Sequence, residues 1–135
     1  MSTKRVMLVV TVKNGRENWF PLHKDLIDQI SHPGLEVIWH GEEGPLEEIE
    51  TAEDASIMAD CVVKAAVEAE KDNIDSVAVT CLHEPGLVEA RSTVDIPVVG
   101  ALESSIGIAN DLGERVCMVH GSPEGAEGIK ENIER

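Results

Sequence analysis

The chain has 135 residues, and its 26 Asp and Glu against 11 Lys and Arg give a formal net charge of −15. The length fits one domain, and because 42% of the residues are hydrophobic, a disordered tail is excluded. The charge excludes ordinary nucleic-acid binding and argues against an anionic membrane surface, because both need clusters of Lys and Arg.

Targeting signals and cysteine usage favour a cytoplasmic protein. No apolar run reaches the roughly 18 residues of a transmembrane helix, and residues 1–5 lead directly into an apolar strand, so we predict no signal peptide and no membrane partner. Cys61, Cys81 and Cys117 contain no CxxC pair. That pattern argues against a disulfide framework or a zinc ribbon and suits a reducing compartment.

Strands and helices alternate along the chain. The predicted strands are 5–12, 35–39, 75–80, 96–101 and 116–120. The predicted helices are 19–30, 53–71, 86–93, 103–112 and a polar helix from about 122. Strands separated by helices favour right-handed crossovers and a parallel sheet. We therefore predict an α/β three-layer sandwich with a mainly parallel sheet of four to five strands.

Two of the predicted helices show apolar residues at helical spacing. The first has Leu22, Leu26 and Ile30 on one face, and Pro21 stands in its first turn, where a missing N–H costs nothing. The longest carries a stripe formed by Met58, Val62, Ala65 and Ala69. Thr51 or Asp54 can cap this second helix.

Ligands of open α/β sheets bind beyond the carboxyl ends of the strands, and Cys81 is the strongest candidate there. It follows a predicted buried strand and precedes the helix that starts at Gly86. Amide groups and the helix dipole favour an anion, so a thiolate is expected to be stabilised and to act as nucleophile or general base. The competing interpretation is a small apolar residue at a strand end. Cys61 and Cys117 are better explained as buried apolar residues.

The histidines near this edge give weaker signals. His83 lies two residues after Cys81, but neighbours in a turn usually point apart, so a Cys–His dyad is not predicted. His40 and His120 each end a predicted strand at the same edge. The three histidines could form a metal site, yet their spacing matches no ligand signature, and we predict no metal. Residues 13–15 do not form a nucleotide-binding motif.

Several motifs resemble the aspartate/glutamate/hydantoin racemase superfamily, most closely its hydantoin racemase branch. They are CLHEPGL at 81–87, Ala90-Arg91, VDIPVVG at 94–100, Glu103, Leu112-Gly113, Gly44-Pro45 and the Ile-Glu-Thr run at 49–51. Residues 116–120 and 129–135 are similar to the next strand and helix of that branch. The resemblance implies one complete α/β half at 1–101 and the beginning of a second half at 102–135.

The resemblance also implies a chemistry. Members need no cofactor, and two cysteine thiols, one from each half, exchange a proton at the substrate Cα from opposite faces. Cys81 matches the first of these acid/base groups. The implied substrate-binding residues are Asn14, Glu50, Thr51, Thr80, Leu82 and Glu103. The implied substrate is a small molecule, an amino acid or a 5-substituted hydantoin.

The chain departs from the family pattern in three ways. The Asn-Pro-Asn turn after the first strand is replaced by residues 11–15, Thr80 precedes Cys81 where the family often has a small residue, and no second cysteine matches. The chain could therefore be the N-terminal portion of a racemase, a shortened protein that completes its site by forming a homodimer or larger oligomer, or a ligand-binding module without catalysis. Related decarboxylases and maleate isomerases are a further alternative, although the decarboxylases keep the other half's cysteine.

Overall fold

A computed structural model describes residues 3–41, 44–113 and 115–134. Four parallel strands form one sheet in the order β2-β1-β3-β4. The strands are β1 (Lys4–Val10), β2 (Leu35–Gly41), β3 (Ser76–Val79) and β4 (Val98–Gly100). β1 is central and pairs with β2 on one side and β3 on the other. The parallel α/β architecture is thus confirmed.

Within the described ranges, six helices connect and flank these strands: α1 (Gly15–Asn18), α2 (Phe20–Ile30), α3 (Ala52–Lys71), α4 (Leu87–Thr93), α5 (Ala101–Leu112) and α6 (Pro123–Ile133). From the central β1 the chain passes to β2 at one edge of the sheet. From β2 it crosses back past β1 to β3, and then to β4 at the other edge. Since crossovers between parallel strands are right-handed, α2 lies on one face of the sheet, whereas α3 and α4 lie on the other. This is the predicted three-layer arrangement.

The apolar stripe of α3 forms the main core. Met58, Val62, Ala65 and Ala69 are completely buried, as their spacing predicts. Val62, Ala65 and Ala69 form one core cluster with Val9, Val77 and Val79 of the sheet. A capping box begins the helix: the Thr51 hydroxyl accepts the Asp54 amide at 3.1 Å, and the Asp54 carboxylate accepts the Thr51 amide at 3.0 Å.

The opposite face of the sheet is covered less completely. Leu22, Leu26 and Ile30, the apolar face of α2, are 74%, 55% and 51% exposed, and Ile27 is the buried residue of this helix. Leu26, Ile27 and Ile30 border a cavity. Helical spacing correctly grouped the apolar residues, but it did not show that this helix would stand off the sheet.

The prediction of a strand at 116–120 is wrong, because those residues form no strand in the described part of the chain. Val116 and Val119 are 45% and 88% exposed. A strand persists only when a neighbour completes its backbone hydrogen bonds. In the described residues the sheet ends at β4, and residues 116–120 do not pair with it.

α6 returns to pack against the first part of the chain. Ile129 is 1% exposed, and the Asn132 side-chain amide donates to the His83 carbonyl at 2.9 Å. In the described residues, no helix has the length and apolar character required to cross a bilayer.

Candidate functional site

A cavity of about 770 Å³ lies at the carboxyl ends of the strands, where an α/β sheet is expected to bind ligands. Its walls come from the ends of β1, β2 and β3, from α2, from the loop before α3 and from residues 120–122. The lining is mainly apolar. The polar or ionisable side chains among its lining residues are Thr11, His23, Glu47, Glu48, Glu50, Thr80, Cys81, His120 and Ser122.

Cys81 reaches this cavity from the turn after β3. Its side chain is half-buried, and burial raises the pKa of the thiol above its ordinary value. The backbone amides of His83 and Glu84 hydrogen-bond the sulfur and oppose this rise, whereas the Glu84 carboxylate adds to it. The turn therefore offers a thiolate two donors in a setting that favours the neutral thiol.

The source of these donors corrects the sequence-based expectation. They belong to the turn itself and not to α4, which begins at Leu87. The N-terminus of α4 is held against α3, because Gly86 has φ of +65° and a Cβ there would lie 2.5 Å from the Ala59 carbonyl oxygen. The net pKa direction is also opposite to the expected one, because burial outweighs the amides.

Glu84 fixes the other end of this turn. It has φ of +49°, and its carboxylate accepts the Glu103 backbone amide at 2.9 Å, which supplies a partner to the first turn of α5. Burial raises the pKa of Glu84, and the neighbouring Glu103 carboxylate acts in the same direction. The turn that carries Cys81 is thereby attached to the N-terminus of α5.

Two other predicted site residues line the cavity with Cys81, namely Thr80 and Glu50. The Thr80 hydroxyl donates to the Val9 carbonyl at 2.9 Å, which ties the end of β3 to β1. The Glu50 amide donates to the Asp54 carboxylate at 3.2 Å, so the capping box of α3 also positions the loop before it.

The structure places the remaining predicted substrate contacts outside the cavity lining. They are Asn14, Thr51, Leu82 and Glu103. Asn14 caps α1 in the left-handed region with φ of +55°, and Thr51 caps α3. Glu103 forms a two-pronged ion pair with Arg91, which lowers the pKa of its carboxyl, and also accepts the Gly100 amide at 3.1 Å. The Glu103 carboxylate therefore stabilises the junction between β4 and α5.

The sequence analysis did not predict Thr11 as a site residue. It is 1% exposed, lines the cavity, and its hydroxyl has no hydrogen-bond partner among the described residues. The indole N–H of Trp39, another lining residue, is likewise buried and unpartnered within the described part. The position of Thr11 immediately after β1 was the available signal, since this position shares an edge with Cys81 in a parallel sheet.

The three candidate histidines have different neighbours. His40 Nε2 lies 4.0 Å from a Glu68 carboxylate oxygen on α3. His83 is 5% exposed, and its ring meets that of His120 edge-on at 6.2 Å between centroids. Within the described residues, no three His, Cys, Asp or Glu side chains are grouped to hold a metal ion. The conceivable site formed by His40, His83 and His120 is thus not assembled.

The sequence model of the Asp/Glu/Hydantoin racemase family matches residues 22–135. The chain belongs to this racemase family. A hydantoin racemase from Pseudomonas sp. (strain NS671) is 34% identical over 71 residues, which cover 53% of this chain and 28% of that protein. An allantoin racemase from Klebsiella pneumoniae shares the fold with a TM-score of 0.85 at 19% identity.

The racemase-family chain is short beside both relatives. The structural match covers 98% of this chain but 53% of the allantoin racemase chain. The chain therefore spans about half the length of that solved structure, and the segment aligned with the hydantoin racemase covers 28% of that protein.

Proposed function

We propose that this chain transfers a proton at the stereogenic carbon of a 5-substituted hydantoin, with Cys81 as an acid/base group. The observation that carries the proposal is Cys81 at the wall of a large apolar cavity beyond the sheet. A thiolate can remove the proton next to a carbonyl without a metal or an organic cofactor. Membership of the racemase family supports this reaction class.

The composition of the cavity favours an uncharged ring over a free amino acid. Glu47, Glu48 and Glu50 line it, and its described lining contains no Lys or Arg. Carboxylates repel a substrate carboxylate, whereas a hydantoin has only neutral amide and carbonyl groups near its reacting carbon. The apolar wall formed by Leu26, Ile27 and other residues suits an apolar substituent. We include Thr11, Glu50 and Thr80 in the proposed substrate contacts.

Hydrogen–deuterium exchange tests this proposal. The separate enantiomers of 5-benzylhydantoin are incubated with the chain in D₂O, deuterium at C5 is followed by NMR, and inversion is followed by chiral chromatography against a buffer blank. We expect exchange that Cys81→Ala abolishes and that Cys117→Ala, an exposed cysteine outside the cavity lining, preserves. Binding without exchange in the unmodified chain would instead establish a ligand-binding module.

A parallel panel of free amino acids tests substrate class. We expect exchange of the hydantoin to exceed that of any amino acid, since the acidic cavity penalises the carboxylate. An amino acid that exchanges faster contradicts the assignment of a hydantoin but leaves Cys81 as the acid/base group.

We further propose that the chain forms a homodimer or larger homo-oligomer. Ile108 and Leu112 of α5 are 63% and 84% exposed, and Val119 is 88% exposed. Apolar surface of this kind marks an interface. Light scattering at about 0.1 mM is expected to give at least twice the monomer mass of 14.6 kDa. Leu112→Glu is expected to reduce it.

Two further proposals concern the boundary between the two halves and the cellular compartment. We place the boundary between the two halves at residues 101 and 102, because α5 starts at Ala101 directly after β4. The free thiols of Cys81 and Cys117 support a reducing cytoplasm.

A further inference from the structure

The turn that carries Cys81 has a backbone conformation that its surroundings must hold. Glu84 has φ of +49°, a region that residues other than glycine rarely adopt. A turn of this kind can aim consecutive backbone N–H groups at one point and so form a small anion-binding hollow. Here the two N–H groups are those of His83 and Glu84, and they face the Cys81 sulfur. The exact position of the turn therefore governs how well a thiolate is stabilised.

The Glu84 side of the turn is anchored by contacts described above. The Glu84 N–H also donates to the Cys81 carbonyl at 3.0 Å, which closes the turn on itself. The Glu84 carboxylate accepts the Glu103 amide at 2.9 Å. Strained backbone of this kind persists only where several contacts fix it, so the His83 side also requires an anchor.

α6 supplies that anchor from the opposite side. The Asn132 side-chain amide donates to the His83 carbonyl at 2.9 Å. The helix can approach this closely because Gly128 faces the His83 ring: a Cβ at position 128 would lie 2.9 Å from His83 Cε1. Ile129, which is 1% exposed, buries the same face of the helix. A side chain 51 residues after Cys81 thus binds the turn that holds its sulfur.

The bond from Asn132 reaches the sulfur through a single peptide group. The His83 carbonyl and the Glu84 N–H are the two ends of the same planar unit. A donor on the carbonyl oxygen polarises this unit and makes its N–H a stronger donor, because hydrogen bonds in a chain strengthen one another. The hydrogen bond of Asn132 is therefore transmitted to the N–H that faces Cys81, besides fixing where that N–H points.

We propose that Asn132 is a positioning residue for Cys81, and that it stabilises the thiolate through the peptide group between His83 and Glu84. Asn132 is not among the residues that line the cavity, so it acts on the thiol and not on the substrate. The catalytic consequence rests on the function proposed above. In that reaction the thiolate removes the C5 proton, and Asn132 raises the fraction of Cys81 present in this form at neutral pH.

The pH dependence of Cys81 alkylation by iodoacetamide in the full chain, measured by peptide mass spectrometry, tests the proposal. Asn132→Leu removes the donor at similar size, and we expect the midpoint to rise by about 0.5–1 pH unit, because part of a hydrogen bond to a charged group is lost. Asn132→Gln keeps an amide donor and should restore the midpoint at least in part. Asn110→Leu is the matched control, the same change at an exposed position of α5, and we expect no shift.

The direction of the shift separates positioning from a merely structural role. If Asn132 only held α6 in place, its loss would loosen the helix and admit water to the sulfur. Burial raises the pKa of Cys81, so the midpoint would then fall. A rise supports the proposal, and a fall or an unchanged midpoint overturns it. Asn132→Ala removes the same donor without added bulk and replaces Asn132→Leu if circular dichroism shows that the leucine variant does not fold.

Exchange at C5 of 5-benzylhydantoin gives the catalytic readout. In Asn132→Leu we expect the rate at pH 7 to fall by about 3–10-fold, the factor that corresponds to the shift in midpoint. The loss should shrink as the pH rises and the thiol ionises, after subtraction of a buffer blank, and an equal loss at every pH overturns the proposal. An unmodified chain without exchange refutes the proposed function instead, whereas the alkylation midpoints still decide the role of Asn132.

Discussion

Gly44 is the residue at which the loop before α3 lies closest to the end of β1. A Cβ at this position would fall inside contact distance of the Thr11 carbonyl oxygen and the Met58 methyl group, and 2.7 Å from the Met58 sulfur. The side chain of Met58 can rotate, but it is completely buried in the core. The Thr11 carbonyl is backbone and cannot rotate away. A methyl group at 44 therefore has to push the loop off the sheet.

We expect Gly44→Ala to lower the free energy of unfolding by about 1–3 kcal/mol, the usual cost of overpacking. For a chain of this size that corresponds to a fall in Tm of about 4–11 °C. The same loop is held by the Lys13 amide, which donates to the Leu46 carbonyl at 2.7 Å. Because this loop carries Glu47–Glu50 into the cavity wall, Gly44→Ala should also reduce hydantoin exchange.

Thermal unfolding followed by circular dichroism measures the effect, with urea unfolding as the check on free energy. Gly107→Ala is the matched control, because Gly107 lies within α5 and no atom is found within 4 Å of its added Cβ. Alanine there should raise stability by about 0.5–1 kcal/mol. If Gly44→Ala unfolds at the temperature of the unmodified chain, the packing of the loop on Thr11 is not as described.

Two further predictions concern ionisable groups. Because burial raises the pKa of Cys81, its alkylation by iodoacetamide, followed by peptide mass spectrometry, should reach half its maximal rate at a higher pH than the cysteine of a short unstructured peptide does; a lower midpoint would contradict this. Arg91 lowers the pKa of Glu103 from its ordinary value of 4.5. The ion pair therefore gives its full stabilisation above pH 4.5, and this stabilisation is lost as the pH falls through the lowered pKa of Glu103 in the folded state. Urea midpoints between about pH 6 and 3 should fall more steeply in the unmodified chain than in Arg91→Gln, and equal slopes would refute the pairing.

Residue patterns were sufficient for the fold class. Short β-branched segments alternate with helices, and this order restricts the topology because parallel strands require right-handed crossovers. The sequence also predicted the buried stripe of α3. Its apolar residues recur at helical spacing, and all of them are completely buried: Met58, Val62, Ala65 and Ala69. Local periodicity was less informative for α2, where an apolar face borders a cavity.

The strand at 116–120 shows a different limit. Its residues have strong β-propensity, but a strand also needs a hydrogen-bonding neighbour, and propensity cannot supply one. Val116 and Val119 are exposed, and they are not paired with β4, the edge strand of the described sheet. Pairing is decided by the path of the whole chain.

The sequence by itself determined the family, the α/β class and the position of Cys81 at the carboxyl end of a strand. The tertiary structure decided which residues share the cavity with that cysteine. It placed Thr11 and His120 there, and it assigned Thr51 and Glu103 to helix ends. It also reversed the expected direction of the Cys81 pKa, because desolvation depends on everything packed around the sulfur and not on the residues next to it in the chain.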